Sequence, residues 1–383
     1  MAGFDVLIAG AGPAGCAAAI SLGDFAPKLR VGLIDASAPD TARIGETVPP
    51  PIKPILDHLG LWQNFIADGH SASYRTLSAW GGPELLSNEF LFHTQQTGWR
   101  LDRARFDAMM LHGAAPHVAA HMAGKVAKLS FAHDRWNVVL DDGAIHTARA
   151  VVDATGRAAV LARLHGRRPQ RLDRLVSCFA FCESRGGAEE LTIEAVRDGW
   201  WYTAALPGGR RVTAFMSDAD IVRRLELGQR ERWLRALSET EYVRALTAGA
   251  EPLGAPQFHG AGSQIVLTDS THTLMCVGDA ASSFDPVSGQ GIVKALRSGV
   301  FASYALADYL ERGDPDGLRR YGTFVKSEFA AYRDTLRDYY AQERRWPDSL
   351  FWQRRRDGGR PDRPHAIGPH DMRAPAESFT RLS

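Results

Sequence analysis

The 383-residue chain holds only four cysteines, Cys16, Cys178, Cys182 and Cys276, scattered along its length. That is too few for a disulfide framework, so reduced thiols packed as small apolar side chains in a cytoplasmic protein are the expectation. Net charge is nearly absent: 45 Lys and Arg oppose 44 Asp and Glu, for +1 overall. A basic nucleic-acid footprint is therefore not expected. No apolar run of membrane-spanning type occurs either. The nearest candidate, Leu7–Leu22, is loaded with glycine, follows Asp5 and lacks a basic region ahead of it, so neither signal peptide nor membrane anchor is expected. His112, His117 and His121 lie close together, but no carboxylate or cysteine completes a ligand set, and no metal is expected. What remains is ordinary globular composition, 45% hydrophobic and 23% charged, at a length that suits roughly two domains.

The stretch "FDVLIAGAGPAGCAAAISLG" changes period after Gly10. Phe4–Ala9 is a short apolar run, as in a buried parallel strand, and Ala14–Leu22 consists of good helix formers. "RVGLIDAS" supplies a second buried strand ending at Asp35. Between them Gly10, Gly12 and Gly15 form GxGxxG in the required strand–turn–helix context. The first glycine permits the tight turn, the second admits a pyrophosphate, and the third lets helix and strand pack closely. Amides at the start of the helix, near Pro13 and Ala14, then face the phosphates. Asp35, followed by Ala36, is placed to accept hydrogen bonds from a ribose.

From Val126 to Val152 the pattern is strand-like, with Asp141-Asp142-Gly143 as a hairpin turn; residues 173–218 repeat it around Pro207-Gly208-Gly209. Helical patterns dominate 219–248 and 291–345. Strands and helices mix without strict alternation, which predicts an α/β chain, a nucleotide-binding domain interrupted by a sheet-rich second domain. The expected division is 1–75, 100–165 and 262–320 for the first domain and 76–99 with 166–261 for the second. A C-terminal helical segment at 321–356 and a flexible tail at 357–383 follow.

Four segments, "GAGPAG" (10–15), "RIGETVPP" (43–50), "VVDATGR" (151–157) and "CVGDAASSFDPVSGQGI" (276–292), resemble the motif set of single-domain FAD-dependent monooxygenases and flavin-dependent halogenases. The resemblance implies a Rossmann-like FAD domain of the aromatic-hydroxylase type and FAD as cofactor. It implies that Gly278 and Asp279 meet the ribityl chain, and that Pro286, Gly289, Gln290, Gly291 and Ile292 lie beside the isoalloxazine ring. Asp153 and Gly156 would support the adenosine half, with Arg43 and Glu46 in the second motif. In "LDRARFD" (101–107), Arg103 would be the cofactor contact and Arg105 a surface residue.

Both families use a flavin C4a-hydroperoxide. Halogenases add a lysine between flavin and substrate, a WxWxIP wall and an acid after the loop proline. Here "GWWYTAALPGG" matches only Trp200 and Pro207, Ala79 stands at or near the lysine place, and Ser288 replaces the acid. Arg75 is basic but stays protonated, so it cannot form a haloamine. The motifs "GWRLDRARFD", "EAVRDGWWYTAALP" and "YYAQERRWPDSLFWQRRR" resemble flavoprotein maturases of the LodB, GoxB and QhpG type, which act in building tryptophylquinone cofactors inside partner enzymes.

That resemblance implies hydroxylation of an electron-rich aromatic ring with O2 and a reduced nicotinamide or flavin reductase. The ring is either a protein-bound Trp or a small indole or phenol; halogenation and a non-catalytic flavin-binding partner stay as alternatives. Glu46 is the candidate acid–base group, against a purely structural carboxylate, and Ser288 the second catalytic candidate. Trp80, Glu194, Trp200 and Tyr202 are the candidate substrate residues, with Asp198 behind Glu194. Strand alternation puts Trp200 and Tyr202 on one face and Trp201 on the other. "QERRWPDSLFWQRRR" reads either as a partner-docking segment or as aromatics covering the core with solvated arginines.

Overall fold

A computed structural model describes residues 2–36, 45–183, 190–250, 252–267 and 273–357. Arg43 and the tail beyond Asp357 lie outside the described residues. The architecture is the expected mixed α/β one, organised around two seven-stranded sheets.

In the first sheet, Ala2–Ala9 is a strand because its apolar run can be covered on both faces; Val6, Leu7 and Ile8 are all buried. It pairs in parallel with Val31–Asp35 and with Ile145–Asp153. Ala120–Ala123 and Leu274–Cys276 extend the parallel part, and the ribbon Val126–Ala132 with Arg135–Leu140 adds an antiparallel edge. Gly12 caps the helix Pro13–Phe25, with proline in its first turn where a missing N–H costs nothing. The helix Gly291–Arg312 crosses it so closely that a Cβ at Gly299 would lie 2.3 Å from the Ala14 carbonyl oxygen. All four cysteines are buried within this framework and the second sheet, and none is in a disulfide.

The second sheet runs, in spatial order, Gln257–Gly260, Leu175–Glu183, Arg210–Asp218, Gly199–Leu206, Leu191–Val196, Arg75–Ala79 and Leu86–Glu89. Only the pairing of Arg75–Ala79 with Leu191–Val196 is parallel. Gly208 and Gly209 make the turn after Pro207, both at positive φ (77° and 70°), a conformation that suits glycine. Cross-strand register places Trp200 and Tyr202 beside Ala195 and Ile193, and Trp201 beside Glu194 and Phe215 on the opposite face. The Trp201 face is closed by the short helices between Ala219 and Leu246 around a buried Trp233.

The Trp200 face is closed by the chain's own C-terminal part. Tyr340, from the helix Asp316–Ala341, and Phe351 and Trp352, from the helix Leu350–Asp357, pack with Trp80 and Trp200. Trp352 donates its Nε1–H to the Val196 carbonyl at 3.0 Å, while Arg354 and Arg355 each reach Asp218 at 2.9 Å. Of the two readings open for "QERRWPDSLFWQRRR", the aromatics take the core-covering role, but three of the arginines, Arg345, Arg354 and Arg355, are ion-paired, and the Arg355 side chain is only 9% exposed. Among the described residues no helix is long and apolar enough to cross a membrane.

Candidate functional site

The three glycines of the first turn divide by what a side chain would meet. At Gly10 (φ 107°) a Cβ would lie 2.3 Å from the Ala154 carbonyl oxygen, and at Gly15 it would lie 1.9 Å from the Gly10 carbonyl oxygen. Those two are dictated by packing. At Gly12 a Cβ would meet nothing within 4 Å. The space it would enter lies at the N-terminus of Pro13–Phe25, where backbone N–H groups have no intrahelical acceptor. Gly156, Gly289 and Gly291 likewise face open space within 4 Å. Packing therefore does not require glycine at these four positions; left-handed backbone favours it at Gly156 (φ 66°) and Gly289 (φ 63°), whereas Gly12 and Gly291 leave open space that a long ligand along the strand ends can enter. The residues fit an extended dinucleotide.

Asp35 ends its strand, with Ala36 exposed beside it. Midway along the strand ends, Gly278 turns at φ 59°, with its N–H on the Ser298 hydroxyl at 2.7 Å. Asp279 follows, its side chain one-third exposed. Two cations grip it. Lys294 Nζ, 1% exposed, lies 3.0 Å from Oδ1, and Arg157 Nε lies 3.5 Å from Oδ2. Burial pushes the Asp279 carboxyl up, but Lys294 and then Arg157 outweigh it and hold the group below the usual carboxylate range. Sequence reasoning missed both cations. Lys294 looks like any helix lysine, and its partner sits across a loop; the available signal was its place on the apolar stripe of Gly291–Arg312. Lys294→Met is expected to weaken FAD binding about tenfold, roughly 1.4 kcal/mol. Fluorescence titration of the apoprotein checks this, and an unchanged Kd contradicts it.

Two expected contacts are corrected. Asp153 is fully buried; Oδ1 accepts from the Thr155 N–H (3.1 Å) and hydroxyl (2.6 Å), and Oδ2 from the Ala162 N–H (2.9 Å). It shapes the turn that presents Gly156 and has no face left for a cofactor. Ser288 donates its hydroxyl to the Asp285 carbonyl at 2.8 Å, closing the turn that Gly289 completes at φ 63°. The hydroxyl is a loop-forming group, which removes the ground for a catalytic role. Pro286, Gly289 and Gly291 are exposed along this loop, with Gln290 half-buried and Ile292 turned into the core.

Glu46 is 4% exposed, at the start of a small sheet in which Thr47 pairs with Arg100. Its Oε2 accepts the Gly45 N–H at 3.0 Å, while Oε1 has no hydrogen-bond partner among the described residues. Burial pushes the carboxyl up to about 7, against backbone amides and the nearby Arg103. Arg103 donates to the Gly45 carbonyl at 3.2 Å and pairs with Asp107, whereas Arg105 is at the surface. Tyr202, on the second sheet, lies within electrostatic reach of Glu46. Its phenol is raised well above the usual range by burial and then by the Glu46 carboxylate.

The remaining substrate candidates move away from this point. Glu194 lies on the Trp201 face and accepts the N–H groups of Glu241, Tyr242 and Val243 at 2.6–2.9 Å, so it caps a helix and is not available to a substrate. Asp198 pairs with Arg224 at 3.0 Å. Trp80 and Trp200 are 6% and 1% exposed, and each donates its indole N–H inside the cluster, to the Tyr339 carbonyl and the Tyr340 hydroxyl, both at 3.0 Å. They are core. Arg75 turns outward onto Glu190 at 2.8 Å, and Ala79 is buried.

A family model described as lycopene cyclase protein matches residues 5–171. The FAD-dependent oxidoreductase LodB of Marinomonas mediterranea is 32% identical over 93% of this chain and 97% of its own length. Among solved structures, the myxobacterial chondrochloren halogenase CndH superposes with TM-score 0.84 at 21% identity, covering 93% of this chain and 86% of that one. The peptidyl tryptophan dihydroxylase QhpG, essential for tryptophylquinone cofactor biogenesis, gives TM-score 0.75 at 25% identity, covering 97% and 80%. Fold and cradle together define a flavin-dependent oxidoreductase of the halogenase and hydroxylase fold. Within that class, the chain belongs to the LodB family of FAD-dependent oxidoreductases.

Proposed function

We propose that this protein is an FAD-dependent monooxygenase that hydroxylates an electron-rich aromatic ring, with a polypeptide-borne Trp as the leading substrate. The observation that carries the reading is the buried Glu46 carboxyl, with one oxygen that has no hydrogen-bond partner among the described residues and a charge that is felt at the Tyr202 phenol. FAD, if bound and reduced by a nicotinamide or a reductase, would supply the two electrons needed to split O2, one oxygen atom going to the ring and the other leaving as water.

The chain's own residues do the rest. Gly12, Gly156, Gly289 and Gly291 admit the cofactor, and Asp279, steadied by Lys294 and Arg157, orients its middle. Replacing a ring C–H by C–OH releases a proton. Glu46, with its carboxyl near 7, is poised to take that proton at Oε1 around neutral pH. Tyr202 supplies an aromatic wall that also excludes water. The seven-stranded sheet that carries it serves as the substrate-binding unit, and residues 1–75, 100–165 and 262–320 as the cofactor unit.

The 25% identity to a peptidyl tryptophan dihydroxylase supports a Trp held in a polypeptide. Halogenation is disfavoured because Ala79 stands at the lysine place, Arg75 points outward and Ser288 replaces the acid. The test is anaerobic reduction with NADH, NADPH or a reductase, then air with a Trp-containing peptide or free indoles, with and without bromide. Mass spectrometry is expected to show added oxygen on the Trp. Bromine in the product, or a flavin that no reductant reduces, overturns the reading.

A further inference from the structure

Asp285 stands immediately before the loop Pro286–Gly291 and is 2% exposed. From within the loop its Oδ1 accepts the Val287 N–H at 2.9 Å and its carbonyl accepts the Ser288 hydroxyl at 2.8 Å. Its other groups point the opposite way. The Asp285 N–H donates to the Tyr332 hydroxyl at 2.6 Å, which also pairs with the Ser263 hydroxyl at 2.7 Å. The Tyr332 ring stacks on Phe284, centroids 3.8 Å apart, so this attachment is rigid. Asp285 Oδ2 accepts the Tyr340 hydroxyl at 2.8 Å, and the same Tyr340 oxygen accepts the Trp200 indole N–H at 3.0 Å. Trp200 lies two residues before Tyr202 on one strand and shares its face. A continuous hydrogen-bonded path thus runs from the loop, through the helix Asp316–Ala341, to the sheet face that carries Tyr202.

We propose that Asp285 and Tyr340 are positioning residues that fix the loop Pro286–Gly291 against the cofactor ring and tie it to the substrate side of the seven-stranded sheet. The inference rests on the reading that this loop meets the flavin. Neither residue touches the reacting atoms; each acts through the loop. A glycine-rich loop has little rigidity of its own, so its placement depends on what holds it from behind. Here the hold is a carboxylate that bonds the loop on one side and the sheet's partner helix on the other.

The charges around Asp285 make the arrangement testable. Burial, and then Asp173, push its carboxyl up to about 6, restrained by the Val287 amide, the Tyr340 hydroxyl and Arg355. Tyr332, Tyr339 and Tyr340 face it from the helix Asp316–Ala341, and Arg355 faces it from the C-terminal helix while bound to Asp218. A carboxyl held that high is expected to change charge at a pH of about 6, beside the loop.

The experiment is a visible-absorbance titration of the FAD-bound protein between about pH 5 and pH 8, for wild type, Asp285→Asn and Tyr340→Phe. The wild-type flavin bands are expected to shift with a midpoint of about 6. The step is expected to vanish in Asp285→Asn and to move to higher pH in Tyr340→Phe, which removes a hydroxyl that steadies the carboxylate. Both variants are expected to bind FAD within about threefold of wild type, since the cradle is untouched. Tyr340→Phe keeps the ring in the aromatic cluster, so the test survives if Asp285→Asn does not fold. FAD bound with a pH-independent spectrum, or the same step in Asp285→Asn, sinks this inference alone. A wild-type chain that binds no FAD sinks the flavin reading and the inference with it.

Discussion

Gly12→Val is expected to abolish FAD binding while leaving the protein folded. Gly12 has φ −75° and ψ −178°, an extended conformation in which valine is unstrained. Its Cβ would meet no protein atom within 4 Å, so the substitution costs little to the fold. The added isopropyl group would occupy the approach to the helix N-terminus, where the diphosphate has to lie for the amides to reach it. The loss is expected to be about a hundredfold or more in Kd, roughly 3 kcal/mol. Isothermal or fluorescence titration measures it, and circular dichroism confirms the fold. Gly15→Val is the contrasting control. There the side chain would collide with the Gly10 carbonyl 1.9 Å away, and the protein is expected not to fold at all. A Gly12→Val protein that purifies with its flavin would refute the cradle.

Glu46→Gln is expected to move rate and stability in opposite directions. Loss of the proton acceptor lowers turnover by about a hundred- to a thousandfold, with FAD affinity little changed because the cradle is intact. Stability follows the sign of the shift. The folded-state value of about 7 lies above the ordinary carboxyl value of 4.5, so the folded protein holds the proton more tightly than the unfolded chain. Stability from this group is complete below the unfolded value and is lost as pH rises through about 7. By pH 8 the burdened carboxylate costs about 3 kcal/mol. Glutamine stays neutral and avoids that cost. The variant is expected to melt above wild type at about pH 8 and to converge with it toward pH 5. Equal melting at both pH values, together with unimpaired turnover, would remove Glu46 from the mechanism.

The sequence made the nucleotide-binding half legible because its signals are local. A change of period after Gly10, glycines at fixed spacing and an acid at the end of the next strand all follow from backbone geometry within about 30 residues. The second sheet was legible as strands, and alternation correctly separated Trp200 and Tyr202 from Trp201. What alternation cannot say is which face turns toward the cofactor. Glu194 shows the difficulty: it lies next to the right strand, yet its carboxylate caps a helix almost 50 positions later in the chain. Asp153 is a similar case, since an acid at a strand end can serve a ligand or its own following turn, and here three internal donors claim it. Lys294 and Tyr340 were invisible for the converse reason. Each acts through a partner brought close only by tertiary packing, Asp279 in one case and Asp285 with Trp200 in the other.

The way the C-terminal helix closes over Trp80 and Trp200 bears on how the protein is made. Synthesis delivers the nucleotide-binding strands and all seven strands of the second sheet well before Phe351 and Trp352. Until Phe351 and Trp352 emerge, one apolar face of the second sheet has no cover, and chaperones or neighbouring chains can reach it. Contacts of such long sequence separation also form late, because the intervening chain must be ordered first. The helix Leu350–Asp357 thus acts as a latch on nascent folding, and the yield of soluble protein should depend on it more steeply than the stability of the finished molecule does.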